Sequence, residues 1–212
     1  MGKRDKNDTR VFVILGSGAA GYMAAQTLRE DNFTGRVIMV TRESRTPYDR
    51  PNLSKDYLQG HAAPDWMPIR SDDFFVKHDI ELMLGKDAVC VDAVKKTIEF
   101  SDGQMLAYDS LLIATGGMPR RLPFPTKVRK NVFLLRSFSD TDAIIAAGMK
   151  GKRTIIIGAS FIGMEIASSL KTRGCDVTVV APDEVPFLKT LGSEIGRLFQ
   201  QIHEQNGVDF EL

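Results

Sequence analysis

The chain has almost no cysteine. Cys90 and Cys175 are the only 2 among 212 residues and lie far apart. They form no CxxC pair, so the sequence builds neither a dithiol redox motif nor a cysteine-ligated zinc or iron–sulfur site. Both read as small buried hydrophobes, and a reducing, cytoplasmic setting is the expectation. Histidine is scarce too. His61, His78 and His203 share no metal-ligand spacing and read as surface or locally bonded groups, so no metal is expected. Neither sign of charge dominates: 28 Lys plus Arg stand against 27 Asp plus Glu, for a net charge of +1. That balance leaves no electrostatic footprint for nucleic acid or an anionic membrane. The longest apolar runs are strand-sized, well short of the roughly 20 residues of a membrane helix. The opening "MGKRDKNDTR" is charged and lacks the apolar region of a secretory signal.

What is present is a soluble-globular balance, 43% hydrophobic and 26% charged residues, enough to bury a core. Two stretches carry the chemistry, "VFVILGSGAAG" at 11–21 and "TIIIGASFIGME" at 154–165. Each is a branched apolar run that stops at glycine and turns into an amphipathic pattern. In such a GxGxxG turn the first glycine permits the tight bend and the second admits a pyrophosphate. The third lets helix pack on strand, and the helix N-terminus offers N–H groups to phosphate. Gly16, Gly18 and Gly21 fill all three places. Gly158, Ser160 and Gly163 fill them with serine in the middle. An acidic residue about 20 positions further on should meet the adenosine ribose. Glu43 is placed for it, a solvated loop glutamate beside Arg42 being the alternative. The second loop's following strand ends at Ala181, with Asp183 and Glu184 beyond, so NADH and NADPH are not distinguished. Two such sites imply two dinucleotides, a resident flavin and a visiting nicotinamide.

The first unit reads strand Val11–Leu15, helix Ala19–Glu30, strand Arg36–Val40, a βαβ opening with parallel strands. Residues 44–75 read as loops with short helices. "AVCVD" and "KKTIEFSDGQMLAY" read as an antiparallel meander, and "SLLIATGG" at 110–117 as a buried strand. The prolines of "MPRRLPFPTK" mark a linker. A second unit follows, with "DTDAIIAAGMK" helical, "RTIIIG" a strand, "FIGMEIASSLKTRG" a helix, "DVTVVA" a strand, "LGSEIGRLFQQIHEQNG" a helix and "VDFEL" a last strand. The expected fold class is α/β: two Rossmann-like, three-layer dinucleotide-binding units, the first with an antiparallel β-meander and the second incomplete. Too few strands for a full doubly wound sheet make this read as the N-terminal part of a longer protein.

"PYDRPNLSK" (47–55), "LLIATGGMPR" (111–120), "FLLRSFSDTDA" (133–143) and "IIIGASFIGMEIA" (155–167) resemble the FAD-dependent pyridine nucleotide-disulfide oxidoreductases. Within that superfamily they are most similar to the ferredoxin and rubredoxin reductases and the apoptosis-inducing-factor-like proteins. The resemblance runs from about Val11 to the last residue. It implies an FAD-binding domain at 1–118, lacking its C-terminal return segment, and a truncated NAD(P)H-binding domain at 119–212. It implies FAD as cofactor and NAD(P)H as substrate. By the same resemblance Gly16, Gly18, Ala20 and Gly21 would hold the FAD pyrophosphate, Glu43 the ribose, and the backbone of Ala88 the adenine. An acid one position earlier, where this chain has Arg42, is the family's alternative to Glu43. Arg50 and Lys55 would approach the flavin, Ala114, Thr115 and Gly116 the cofactor beyond the strand, and Arg136 and Arg120 the phosphates. Without the motifs, both of these arginines read as solvated linker charge. Gly158, Ser160, Phe161, Ile162, Gly163 and Glu165 would line the nicotinamide dinucleotide. Lys55 and Glu165 would form a buried ion pair beside the flavin and act in catalysis. Trp66 reads as packing, with a lid role as the alternative.

The activity so implied is transfer of electrons from NAD(P)H through FAD to a small iron–sulfur protein. The alternatives are a redox- or nucleotide-sensing flavoprotein like apoptosis-inducing factor, or an inactive fragment of either. Disulfide reduction is disfavoured by the missing cysteine pair, and a single flavin-side cysteine by its absence from "PYDRPNLSK". The missing return segment leads to weak FAD retention as the expectation.

Overall fold

A computed structural model describes residues 2–122 and 131–212. The expected linker falls partly outside the described residues. The chain divides into two compact units, Met1–Asp49 with Pro68–Gly117, and Arg50–Met67 with Met118–Leu212.

In the first unit, β1 (Val11–Leu15), α1 (Ala19–Glu30) and β2 (Arg36–Val40) take the expected bounds. The short helix α2 (Asp56–Gln59) belongs to the second unit; a further short helix, α3 (Asp72–Lys77), leads into β3 (Ile80–Met83), and β7 is Ser110–Ile113. These strands form one parallel sheet in the order β3-β2-β1-β7. Alternation along β1 and β2 sends side chains to opposite faces. Ile14, Val37 and Met39 pack with Tyr22 and Ala25 of α1 and Phe75 of α3. Val13, Leu15, Ile38 and Val40 pack with Ile98 and Phe100 of a second sheet. That sheet is the antiparallel meander β4 (Ala88–Asp92), β5 (Thr97–Phe100) and β6 (Met105–Ala107). Three layers result, helices, parallel sheet and meander, as expected of the first unit.

Arg29, at the C-terminal end of α1, has no exposure at all. Its guanidinium donates to the carbonyls of Phe33, Gly35, His78 and Asp79 at 2.6–3.0 Å. Burial lowers its pKa, and these bonds compensate a charge that would otherwise be costly inside. The bonds tie α1 to the start of β3. Beside it, Glu81 of β3 accepts from Arg36 of β2 at 2.7 and 3.0 Å, which holds its carboxyl below the ordinary value.

In the second unit, β8 (Arg153–Ile157), β9 (Asp176–Val180) and β10 (Val208–Glu211) form a parallel sheet in the order β10-β9-β8. Helix α5 (Phe161–Thr172) connects β8 to β9, and α6 (Leu188–Gln205) connects β9 to β10. α6 is interrupted at Gly192 (φ 80°), close to the expected helix start. Helix α4 (Phe138–Ala147) begins in a capping box, Ser137 and Asp140 bonding each other's backbone. Ile156, Val177, Val179 and Val208 of the sheet pack with Met164, Ala167 and Leu170 of α5 and Ile144 of α4.

Several readings are corrected. β3 was not anticipated: its four residues are too few to show a period, and one of them is the ion-paired Glu81. β7 is an edge strand rather than a buried one, with Leu112 and Ile113 42% and 64% exposed. Cys175 is buried, but Cys90 is exposed on β4, an edge of the meander. Trp66 is 74% exposed and is not a packing residue. Residues 50–67, read with the first domain, pack on the second unit: Leu58 is fully buried in its core.

Candidate functional site

The first set of candidate residues gathers at the C-terminal ends of β1, β2 and β7, the ends at which open parallel sheets bind ligands. Gly16 N donates to Val40 O at 2.8 Å and Ala114 N to Leu15 O at 2.7 Å, joining loop and strand ends. Gly16 has φ 110°, and a Cβ there would lie 2.1 Å from Ala114 O, so only glycine fits. A Cβ on Gly21 would lie 1.9 Å from Gly16 O. Gly18 differs: its backbone is extended (φ −71°), a conformation open to any residue, so its dihedral angles do not require glycine. Ala20 lies exposed in the first turn of α1, which has no acidic residue and no side-chain cap. Thr115 and Gly116 continue exposed from β7.

Glu43 follows β2, and one of its carboxylate oxygens accepts from the Tyr48 hydroxyl at 2.6 Å. Gly85 N donates to Glu43 O, and Lys86 N to Thr41 O. The lead-in to β4 thus runs along the end of β2 and brings Ala88 to the same margin. Gly16, Gly18, Ala20, Gly21, Glu43, Ala114, Thr115 and Gly116 therefore share one end of the parallel sheet, and Ala88 lies beside it at the start of the meander strand β4.

The second unit repeats the loop. Gly158 has φ 113°, its N donates to Val180 O at 2.8 Å, and a Cβ on Gly163 would lie 2.0 Å from Gly158 O. Met164 N donates to Ser160 O at 2.9 Å, as Tyr22 N does to Gly18 O. Ser160 is extended (φ −102°) like Gly18, so serine is accommodated without strain. Phe161 and Ile162 are about half exposed in the first turn of α5.

Arg50, Lys55, Arg120 and Arg136 all belong to this second unit. The Arg50 guanidinium donates to Arg136 O at 2.9 Å, while Arg120 and the Arg136 side chain are exposed. Lys55 Nζ lies 2.8 Å from Glu165 Oε1, so the ion pair forms. Its side chains are 46% and 30% exposed rather than buried, and such a pair contributes about 0–1 kcal/mol to stability.

Sequence reasoning missed how this pair is anchored. Glu165 and Ser169 of α5 and its C-cap Arg173 are spaced i, i+4, i+8 and so lie along one face. All three bond the segment around Lys55. Ser54 Oγ donates to Glu165 Oε2 at 2.5 Å, Ser169 Oγ to Ser54 O at 2.6 Å, and Arg173 to Leu58 O at 3.1 Å. Tyr57 adds a bond to Asp142 of α4. A serine and an arginine at helical spacing behind Glu165 were the available signal.

A family model described as pyridine nucleotide-disulphide oxidoreductase matches residues 10–212. Apoptosis-inducing factor 3 of Homo sapiens is 36% identical over 200 residues, which cover 94% of this chain and 32% of that protein. The 3-phenylpropionate/cinnamic acid dioxygenase ferredoxin–NAD(+) reductase component of Photorhabdus laumondii is 33% identical over 204 residues, 96% of this chain and 51% of that one. Among solved structures, a chain of the covalent putidaredoxin reductase–putidaredoxin complex aligns with a TM-score of 0.91 at 28% identity. It covers 97% of this chain and 50% of its own. The chain thus spans between about a third and half of the length of these relatives. Two glycine loops with one backbone geometry and the match over residues 10–212 lead to one conclusion: the chain belongs to the pyridine nucleotide-disulphide oxidoreductase family.

Proposed function

We propose that this chain supplies the dinucleotide-binding parts of a flavoprotein reductase that takes electrons from NAD(P)H and delivers them to a small iron–sulfur protein. The observation that carries the reading is the duplicated loop, with Gly16 and Gly158 at φ 110° and 113° in otherwise matching turns. FAD fits the first loop. The glycines are sterically obligatory at Gly16 and Gly21, Gly18 at the N-cap puts no side chain into the loop, and α1 presents an uncapped, acid-free N-terminus. NAD(P)H is assigned to the second loop, where Ser160 narrows the approach and Phe161 and Ile162 offer exposed apolar surface.

In this reading Gly16, Gly18, Ala20 and Gly21 bind pyrophosphate, Glu43 takes a ribose hydroxyl, and Ala88 meets adenine. Ala114, Thr115 and Gly116 extend that cradle. Arg50, Arg120 and Arg136 supply positive charge toward phosphate. FAD held by these residues would supply the redox chemistry that links a two-electron nicotinamide donor to a one-electron acceptor. Lys55, paired with Glu165, would offer positive charge to the reacting end of a bound dinucleotide. The ferredoxin–NAD(+) reductase component among the relatives supports this choice of donor and acceptor class. A reducing cytoplasmic setting is part of the proposal, supported by free thiols at Cys90 and Cys175. Among the described residues no helix is long and apolar enough to cross a membrane.

The test is electron transfer from NADH to a ferredoxin-type protein with added FAD, compared with FAD alone. Acceleration by the chain is expected. Its absence, together with a long-lived complex of reduced protein and nicotinamide, would instead favour a redox-sensing role, the reading suggested by similarity to apoptosis-inducing factor 3.

A further inference from the structure

Ser54 is a 5% exposed serine whose hydroxyl and carbonyl are both engaged by α5. Its hydroxyl donates to Glu165 Oε2 at 2.5 Å, and its carbonyl accepts from Ser169, itself fully buried. The other Glu165 oxygen faces Lys55 Nζ at 2.8 Å, and Lys55 Nζ also donates to Pro51 O at 3.1 Å. A partly exposed glutamate on a helix otherwise samples several rotamers. A charge-assisted bond from a buried neighbour selects one of them. Leu53, next to Ser54, is held as well, since Thr141 of α4, fully buried, reaches its carbonyl at 3.4 Å.

We propose that Ser54 is a positioning residue that locks the Glu165 carboxylate in one orientation and thereby fixes the Lys55 ammonium in place. Ser169 holds Ser54 in register through the Ser54 backbone carbonyl. The inference rests on the roles proposed above for Lys55 and Glu165, but its geometric part stands without a bound dinucleotide.

The test is NMR on the full 212-residue chain. The wild-type Lys55 ammonium should give a proton–nitrogen cross-peak protected from solvent exchange, and Ser54→Ala should speed that exchange by about tenfold or more. Ser54→Thr, which keeps the hydroxyl, should restore protection, while Glu165→Gln should abolish it. A merely structural role for Ser54 would alter amide dispersion and melting without singling out Lys55. In the wild-type chain the Ser54 hydroxyl proton should also be protected and close to the Glu165 methylenes, a measurement that needs no variant. An unchanged Lys55 cross-peak in folded Ser54→Ala, or a freely exchanging Ser54 hydroxyl in the wild type, would overturn the proposal. If the geometry holds but NADH delivers no electrons, the functional reading fails and the positioning role survives.

Discussion

Gly16 and Gly158 occupy equivalent backbone positions, yet their replacement should not cost the same. At Gly16 an alanine meets both a positive φ and the Ala114 carbonyl at 2.1 Å. At Gly158 it meets the positive φ alone, since nothing lies within 4 Å of the added Cβ. Chemical denaturation should therefore show Gly16→Ala destabilised by about 2–4 kcal/mol and Gly158→Ala by about 1–2 kcal/mol. Equal losses would mean that the first loop yields to the clash. Gly18→Ala separates ligand from fold: its backbone is extended, so stability should stay within about 0.5 kcal/mol. FAD binding, measured by NMR titration, should nevertheless weaken severalfold or more, because the methyl intrudes on the pyrophosphate. Unchanged affinity would remove Gly18 from the site. These glycines were legible in sequence because their chemistry is local to the turn. Ser54 was not, because its partners Glu165 and Ser169 are distant in sequence and nothing near Ser54 announces them.

Among elements, α5 shows how a helix can serve two purposes. Met164, Ala167 and Leu170 bury it against its own sheet, while Glu165, Ser169 and Arg173 fasten the segment carrying Lys55. Ser169→Ala would leave Ser54 O unpaired in a buried setting and should cost about 1–3 kcal/mol. A negligible change in the unfolding midpoint would mean that the segment is held without it. At the other sheet, Glu81 joins β3 to β2 through Arg36, and that bond lowers its pKa from the ordinary 4.5. A depressed carboxyl stabilises the fold above its unfolded pKa and loses that contribution as pH falls through the folded value. Wild-type stability should thus decline on the acid side of 4.5, and Glu81→Gln should shallow that decline. The effect is small, since both side chains are more than a third exposed. A pH profile identical in the variant would contradict this account. Helices and strands with several turns or a clear alternation were readable from sequence, as α1 and the meander show. β3 was not, because four residues give too short a pattern to distinguish from loop.

For the whole molecule, the contrast lies in how each sheet is covered. The first unit's sheet is sandwiched between helices and meander. In the second, residues alternating with the buried Ile156 stay open, Ile155 at 69% and Ile157 at 54% exposure. Replacing both with threonine should lower binding of a hydrophobic dye and leave stability within about 0.5 kcal/mol per site. Unaltered dye binding would show that this face is not the apolar surface it presents. Sequence periodicity marked these strands as apolar but could not tell which face another layer covers. It also could not show that residues 50–67 belong with the second unit, since that depends on contacts with α4 and α5. The central claim is that two similar loops bind two different dinucleotides. Its most direct measurement is an amide NMR titration of the chain with FAD and, separately, with NADH. FAD should shift residues 16–21 and 114–116, and NADH residues 158–163. Both ligands moving the same loop, or neither loop responding at millimolar nucleotide, would contradict the account.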